Sequence, residues 1–145
     1  MKDSETFAQA LNALPHGQEF RFLDRIISLE PGKQGRGEYW VRGDEPFLKG
    51  HFPGQPLFPG VLLVEAAAQL AGVVAQSDPG MNPLKQLKLT GMRAIKIYGT
   101  ASPGSCIQLE AVISGRLSAL VQASVQAWID KALILSGDII LSGQV

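Results

Sequence analysis

The sequence predicts an α+β fold in a single domain, with one long buried helix laid against a meandering antiparallel sheet. Two segments carry most of that expectation. Gly60 to Gln76 is rich in Ala and Leu, too long for a typical strand, and apolar on nearly every side. Val121 to Ile129 alternates strictly. Val121, Ala123, Val125, Ala127 and Ile129 fall on one face, and Gln122, Ser124, Gln126 and Trp128 on the other, as in a half-exposed antiparallel strand. No internal repeat, low-complexity tract or linker divides the 145 residues, a length that suits one core spanning 1–145.

The elements follow in order. Ser4 can cap a short helix that runs to about Leu14, where Pro15 stops it. Phe20 to Ile27 is rich in β-formers and leads into a turn at Glu30-Pro31-Gly32-Lys33; a second strand covers Gly37 to Arg42. The loop from Gly43 to Pro59 is stiffened by Pro46, Pro53, Pro56 and Pro59. In the main helix the interruptions Glu65, Gln69, Gly72 and Gln76 form one narrow stripe on an otherwise apolar cylinder. Such a helix should be wrapped by other structure, its stripe facing a site or a subunit boundary. After the turn-rich Ser77 to Pro83 everything reads as sheet. Leu84 to Tyr98 is one long strand or a broken pair, and Gly99 to Ser105 is a loop. Cys106 to Ile113 is a strand, and Asp130-Lys131 turns the alternating strand into a last one, Ala132 to Leu141.

Charge excludes several classes. The 13 basic and 13 acidic residues cancel, so no global field draws the chain to nucleic acid or a membrane. From Pro79 to Leu109 the charges are Lys85, Lys88, Arg93 and Lys96 alone, either a solvated strand face or a landing patch for an acidic or phosphate-bearing partner. Cys106 is the single cysteine, so an intrachain disulfide and a cysteine metal cluster are both excluded, and no metal or other cofactor is expected. The N-terminus lacks the apolar core of a signal peptide, and the longest apolar run is broken too often to span a bilayer. These features suit a reducing, cytoplasmic setting.

The chemistry concentrates between Gly50 and Gln69. His51 sits in a loop crowded with Pro and Gly, and Glu65 lies inside an apolar run where a charge needs a reason. Imidazole and carboxylate are the side chains most used to move protons. The pair suggests acid–base work on a buried, acyl substrate. Taken alone, His51 could be a hydrogen-bonded loop residue and Glu65 a buried ion-pair partner. Gln69, one turn beyond Glu65, either orients site groups or simply packs. His16, beside Pro15, reads as structural. Trp40 and Trp128 read as core or interface residues, and Cys106 lacks an activating partner.

The order His51-Phe52-Pro53-Gly54-Gln55-Pro56, then Pro59-Gly60-Val61-Leu62, then Glu65-Ala66 and Gln69, resembles the signature of the 3-hydroxyacyl-carrier-protein dehydratases of type II fatty acid synthesis. Asp44-Glu45-Pro46-Phe47 matches that family's approach to the histidine. Leu14-Pro15-His16 with Phe20 and Asp24-Arg25 resembles its N-terminal signature. The chain departs from the family pattern at Gly17-Gln18-Glu19, at Ser105 and in the Asp130-Lys131-Ala132 turn. The resemblance implies the hot-dog fold, a curved antiparallel sheet wrapped around a central helix. It implies a homodimer, open to further assembly, in which His51 and Glu65 meet across the interface. It also implies a substrate borne on acyl carrier protein through a phosphopantetheine thioester.

Eliminating water from such a thioester needs a base for the C2 proton, an acid for the departing C3 hydroxyl and a donor for the enolate oxygen. His51 suits the base, and Glu65 suits the acid if burial keeps it protonated. Gly60, with Val61 next to it, opens the main helix, where amides lack partners and the dipole favours negative charge; it is the natural oxyanion donor. A thioesterase or acyl-CoA hydratase on the same fold, and a non-catalytic acyl-binding subunit, are the competing readings.

Overall fold

A computed structural model describes residues 9–12, 14–50 and 57–145. The elements are β1 (Arg25–Glu30), β2 (Gln34–Trp40), a short helix α1 (Pro46–Gly50), the main helix α2 (Gly60–Gln76), β3 (Lys85–Ile97), β4 (Cys106–Leu117), β5 (Leu120–Ile129) and β6 (Ala132–Gln144). The six strands form one antiparallel sheet in the order β1-β2-β4-β5-β6-β3, which holds α2 against one face. This is the hot-dog fold.

Helix α2 packs so closely because β2 yields to it. A Cβ on Gly35 would lie 2.7 Å from Val74 Cγ2 of the helix, so a larger residue there would push the two layers apart. Leu63, Leu70 and Val74 of α2 are fully buried against Leu109 of β4, Val121 and Val125 of β5 and Ile139 of β6, in one continuous core. The helix carries no basic residue in its last turn. Arg116 of β4 supplies the missing charge, its guanidinium donating to the Ala75 carbonyl at 2.9 Å and to Asn82 O at 3.1 Å.

The expected helix Gly60 to Gln76 and the expected turns at Glu30–Lys33 and Asp130-Lys131 are all present. Several boundaries differ. The strand expected over Phe20 to Ile27 starts only at Arg25, because the preceding backbone spends its hydrogen bonds elsewhere. Phe22 N–H donates to the Gln69 side chain, and residues Gln18–Phe20 form a 3-10 turn. The second strand begins at Gln34 rather than Gly37, because the tight turn at Gly32 (φ 77°) brings Gln34 directly opposite Glu30. Leu84 to Tyr98 proves to be a single strand, β3, with three register shifts against β6. Strands β4 and β6 run on past Ile113 and Leu141, where the hairpin partners continue to pair. Residues 9–12 are helical, while the Ser4 cap lies outside the described residues. Trp40 is 49% exposed and is no core residue.

Candidate active site

Glu65, Gln69, Gly72 and Gln76, the stripe on α2, all line one cavity of about 1130 Å³. Its opposite walls come from β3, through Leu87, Lys88 and Met92, and from the N-terminal segment, through Pro15 and His16. The size and apolar walls suit an acyl chain. Four polar or small positions spaced four, three and four residues apart have become one side of a binding groove.

Glu65 lies at 21% side-chain exposure, with Oε1 3.5 Å from His16 Nε2. Burial pushes its carboxyl pKa up; His16 and a hydrogen bond from Gln69 pull the other way, and the net direction is above the ordinary carboxylate range. Such a carboxyl is biased toward the protonated form that a general acid needs.

Gln69 is 2% exposed and both ends of its amide are engaged. Oε1 accepts the Phe22 N–H and Nε2 donates to the Phe20 carbonyl, both at 2.8 Å. It thereby stitches the N-terminal segment onto the helix. Its bonds to the backbone hold the segment that carries His16 against the helix.

Pro59 precedes the helix with extended backbone and supplies no side-chain cap. Among the described residues, the first amides, Gly60 and Val61, precede the first one that finds an acceptor, Leu62, whose N–H reaches Pro59 O at 2.9 Å. Val61 is 74% exposed and lies on the rim of the cavity. Five residues at about 1.5 Å rise put the Gly60 amide roughly 7.5 Å along the helix from the Glu65 backbone.

His51, with residues 52–56, lies outside the described residues. The chain on either side is firmly held. On the entry side Tyr39 donates from its hydroxyl to Glu45 Oε2 at 2.7 Å, and the carboxylate also accepts Arg42 N–H at 3.1 Å and Gly43 N–H at 2.6 Å. Burial alone would raise the Glu45 pKa, but these donors outweigh it and hold the carboxyl below its usual range. On the exit side Phe58 bonds to Ala101 O at 2.7 Å and packs edge-on against Phe22 and Phe47.

Lys85, Lys88, Arg93 and Lys96 are all exposed on β3, at the sheet edge. Lys85 and Lys96 are eleven residue steps apart, about 36 Å of strand at ~3.3 Å each, so the four form two pairs rather than one cluster. Arg93 pairs with Asp138 of β6 at 3.4 Å, and Lys88 borders the cavity. Cys106 does not line this cavity. Burial and the nearby Glu38, which accepts its thiol at 3.6 Å, push its pKa up to about 11.

His16 is what sequence reasoning passed over. Taken as structural, it stands against Glu65 inside the cavity. The one signal for it was Leu14-Pro15-His16, which belongs to the family signature.

A hot-dog fold with a half-buried carboxyl and a helix N-terminus on an apolar groove suits an acyl-thioester enzyme. The chain belongs to the family of the FabA-like domain, which matches residues 14–138. It is 36% identical over 137 residues to the 3-hydroxyacyl-[acyl-carrier-protein] dehydratase FabZ of Acetivibrio thermocellus, covering 92% of this chain and 91% of that one. To the FabZ of Ruminiclostridium cellulolyticum it is 38% identical over 129 residues, covering 87% and 88%. The fold is similar to the dehydratase heterocomplex ApeI:P of Xenorhabdus doucetiae, with a TM-score of 0.79 at 15% identity over 96% of this chain and 91% of that one. It is also similar to zebra fish thioesterase superfamily member 2, with a TM-score of 0.68 at 15% identity over 92% and 91%.

Proposed function

We propose that this chain dehydrates 3-hydroxyacyl thioesters borne on acyl carrier protein to the trans-2-enoyl products, in fatty acid or related acyl-chain biosynthesis. The observation that carries the reading is Glu65, a carboxyl whose pKa is raised by burial, set on the wall of an acyl-sized cavity five residues into α2 from its first residue, Gly60. Glu65 protonates the departing C3 hydroxyl, His51 removes the C2 proton, and the Gly60 amide, helped by the helix dipole, receives the charge that develops on the thioester oxygen. No metal or other cofactor is needed for this elimination.

The working unit is a homodimer in which His51 of one chain meets Glu65 of the other. Supporting this are the unpaired edge of β3 and the exposed Val61, Met92 and Tyr98, which leave the apolar groove open on one side. The Lys85 and Lys88 pair, of which Lys88 borders the cavity, is the better placed of the two to steer an acidic carrier. A single free cysteine is in keeping with a reducing, cytoplasmic setting.

The test is direct. Purified protein incubated with 3-hydroxyacyl carrier protein should generate enoyl absorbance without releasing free thiol. Free thiol without enoyl product would make the chain a thioesterase, and no reaction at all would make it a binding subunit.

A further inference from the structure

The N-terminal segment is built to deliver His16 to Glu65. Gln69 fixes the backbone at Phe20 and Phe22. Arg21 reaches back, its Nη2 donating to the Leu14 carbonyl at 3.4 Å and to the His16 carbonyl at 3.3 Å. The His16 ring stacks on Phe20 with centroids 6.2 Å apart, leaving Nε2 directed at Glu65 Oε1. Its other nitrogen, Nδ1, is buried and finds no hydrogen-bond partner among the described residues. An unpartnered buried Nδ1 costs on the order of 1–3 kcal/mol with or without a proton, so the tautomer is set at Nε2, where a proton gains the Glu65 oxygen as acceptor. The neutral ring therefore carries its proton on Nε2.

We propose that His16 is a positioning residue for Glu65: its Nε2–H holds Oε1 and leaves Oε2 to carry the proton that is given to the substrate. The inference rests on the dehydratase reading of the site. A carboxyl has two equivalent oxygens and a rotatable Cγ–Cδ bond, and a general acid works only if its proton points at the leaving group. Occupying one oxygen from the protein side removes that ambiguity. When the C3–O bond breaks, the Oε2 proton leaves with the hydroxyl as water, and His16 steadies the carboxylate left behind. His16 is the titratable group acting on Glu65 among the described residues, and Gln69 is its neutral neighbour.

Two variants test this, His16→Leu and His16→Gln, since a Gln amide can place a donor near the position of Nε2. Two readouts are followed: titration of the Glu65 carboxyl by its carbon-13 NMR shift, and kcat against pH. In His16→Leu the carboxylate loses a donor, so Glu65 should titrate at higher pH than in wild type. The alkaline limb of kcat, which reports loss of the acid proton, should move up with it. The plateau of kcat should fall roughly ten- to a hundredfold with KM little changed. His16→Gln should recover much of both. An unmoved Glu65 titration in a folded His16→Leu protein overturns the proposal, and so does a His16→Gln variant as impaired as His16→Leu. A nitrogen-15 spectrum placing the His16 proton on Nδ1 overturns it as well. Should the wild type fail to dehydrate the acyl carrier substrate, the functional reading falls, whereas the NMR titration still decides whether His16 governs Glu65.

Discussion

Gln69 accepts the Phe22 backbone N–H at 2.8 Å, so one side chain of the central helix takes the place of the strand neighbour that residue 22 lacks. The same amide donates to Phe20 O. Strand β1 consequently starts late, and the segment ahead of it is free to bend over the helix stripe and bring His16 to the cavity. Secondary structure and site geometry are thus set by a single buried amide.

Replacing Gln69 with Leu should strand both backbone groups. Each buried unsatisfied group costs about 1–3 kcal/mol, and the denaturant midpoint should fall accordingly with the slope unchanged. Activity should fall further than stability alone explains, because the segment holding His16 is released. A Gln69→Leu protein of wild-type stability would show that the stitch carries no energy.

The Tyr39 hydroxyl bond to the Glu45 carboxylate is buried and charge-assisted, so Tyr39→Phe should cost about 1.5–3 kcal/mol at neutral pH. Glu45 has a folded-state pKa below its unfolded value. Its contribution is therefore present above the ordinary carboxyl range and lost as pH falls through the folded pKa. Thermal melts of wild type and Tyr39→Phe should converge in acid. A gap of constant size down to low pH would assign the loss to packing instead.

Glu65 has the opposite sign. Its folded pKa is raised, so the stabilising preference for the protonated form is complete below the unfolded pKa and is lost as pH rises through the folded pKa. Glu65→Gln should therefore match wild type in acid and become the more stable protein near neutrality. The same change should cut dehydration on the order of 100- to 10,000-fold. A neutral-pH variant that is both less stable and fully active would contradict burial and role together.

His51→Ala should lose activity on a similar scale, on the order of 100- to 10,000-fold. Mixing His51→Ala and Glu65→Gln chains under conditions of subunit exchange should restore part of the rate, because some heterodimers then hold one intact site. Verified exchange without recovery would mean that each chain completes its own site.

Cys106 should be a slow nucleophile. With its thiol pKa pushed up to about 11, the thiolate fraction at pH 8 lies on the order of a hundredfold below that of a free cysteine. Alkylation of the native protein should be correspondingly slow and should accelerate on unfolding. Rapid labelling of the folded protein would rule out both the burial and the influence of Glu38.

The sequence by itself determined the parts of this protein that rest on local periodicity. The limits of α2 follow from an Ala- and Leu-rich run between Pro59 and a turn-rich segment, and β5 follows from strict alternation of Val and Ala with polar residues. The stripe Glu65, Gln69, Gly72 and Gln76 was legible for the same reason, since helical spacing alone puts four such residues on one side. The HFPG and PG–Glu motifs carried the family. What only the tertiary structure decided lies in contacts between residues distant in the chain. The delayed start of β1 depends on Gln69, 47 positions away from Phe22, and the C-terminal cap of α2 depends on Arg116, 41 positions from Ala75. His16 meets Glu65 only because that long-range stitch exists. Local pattern fixes what a segment can become, and the buried polar group that must find a partner decides which segments meet.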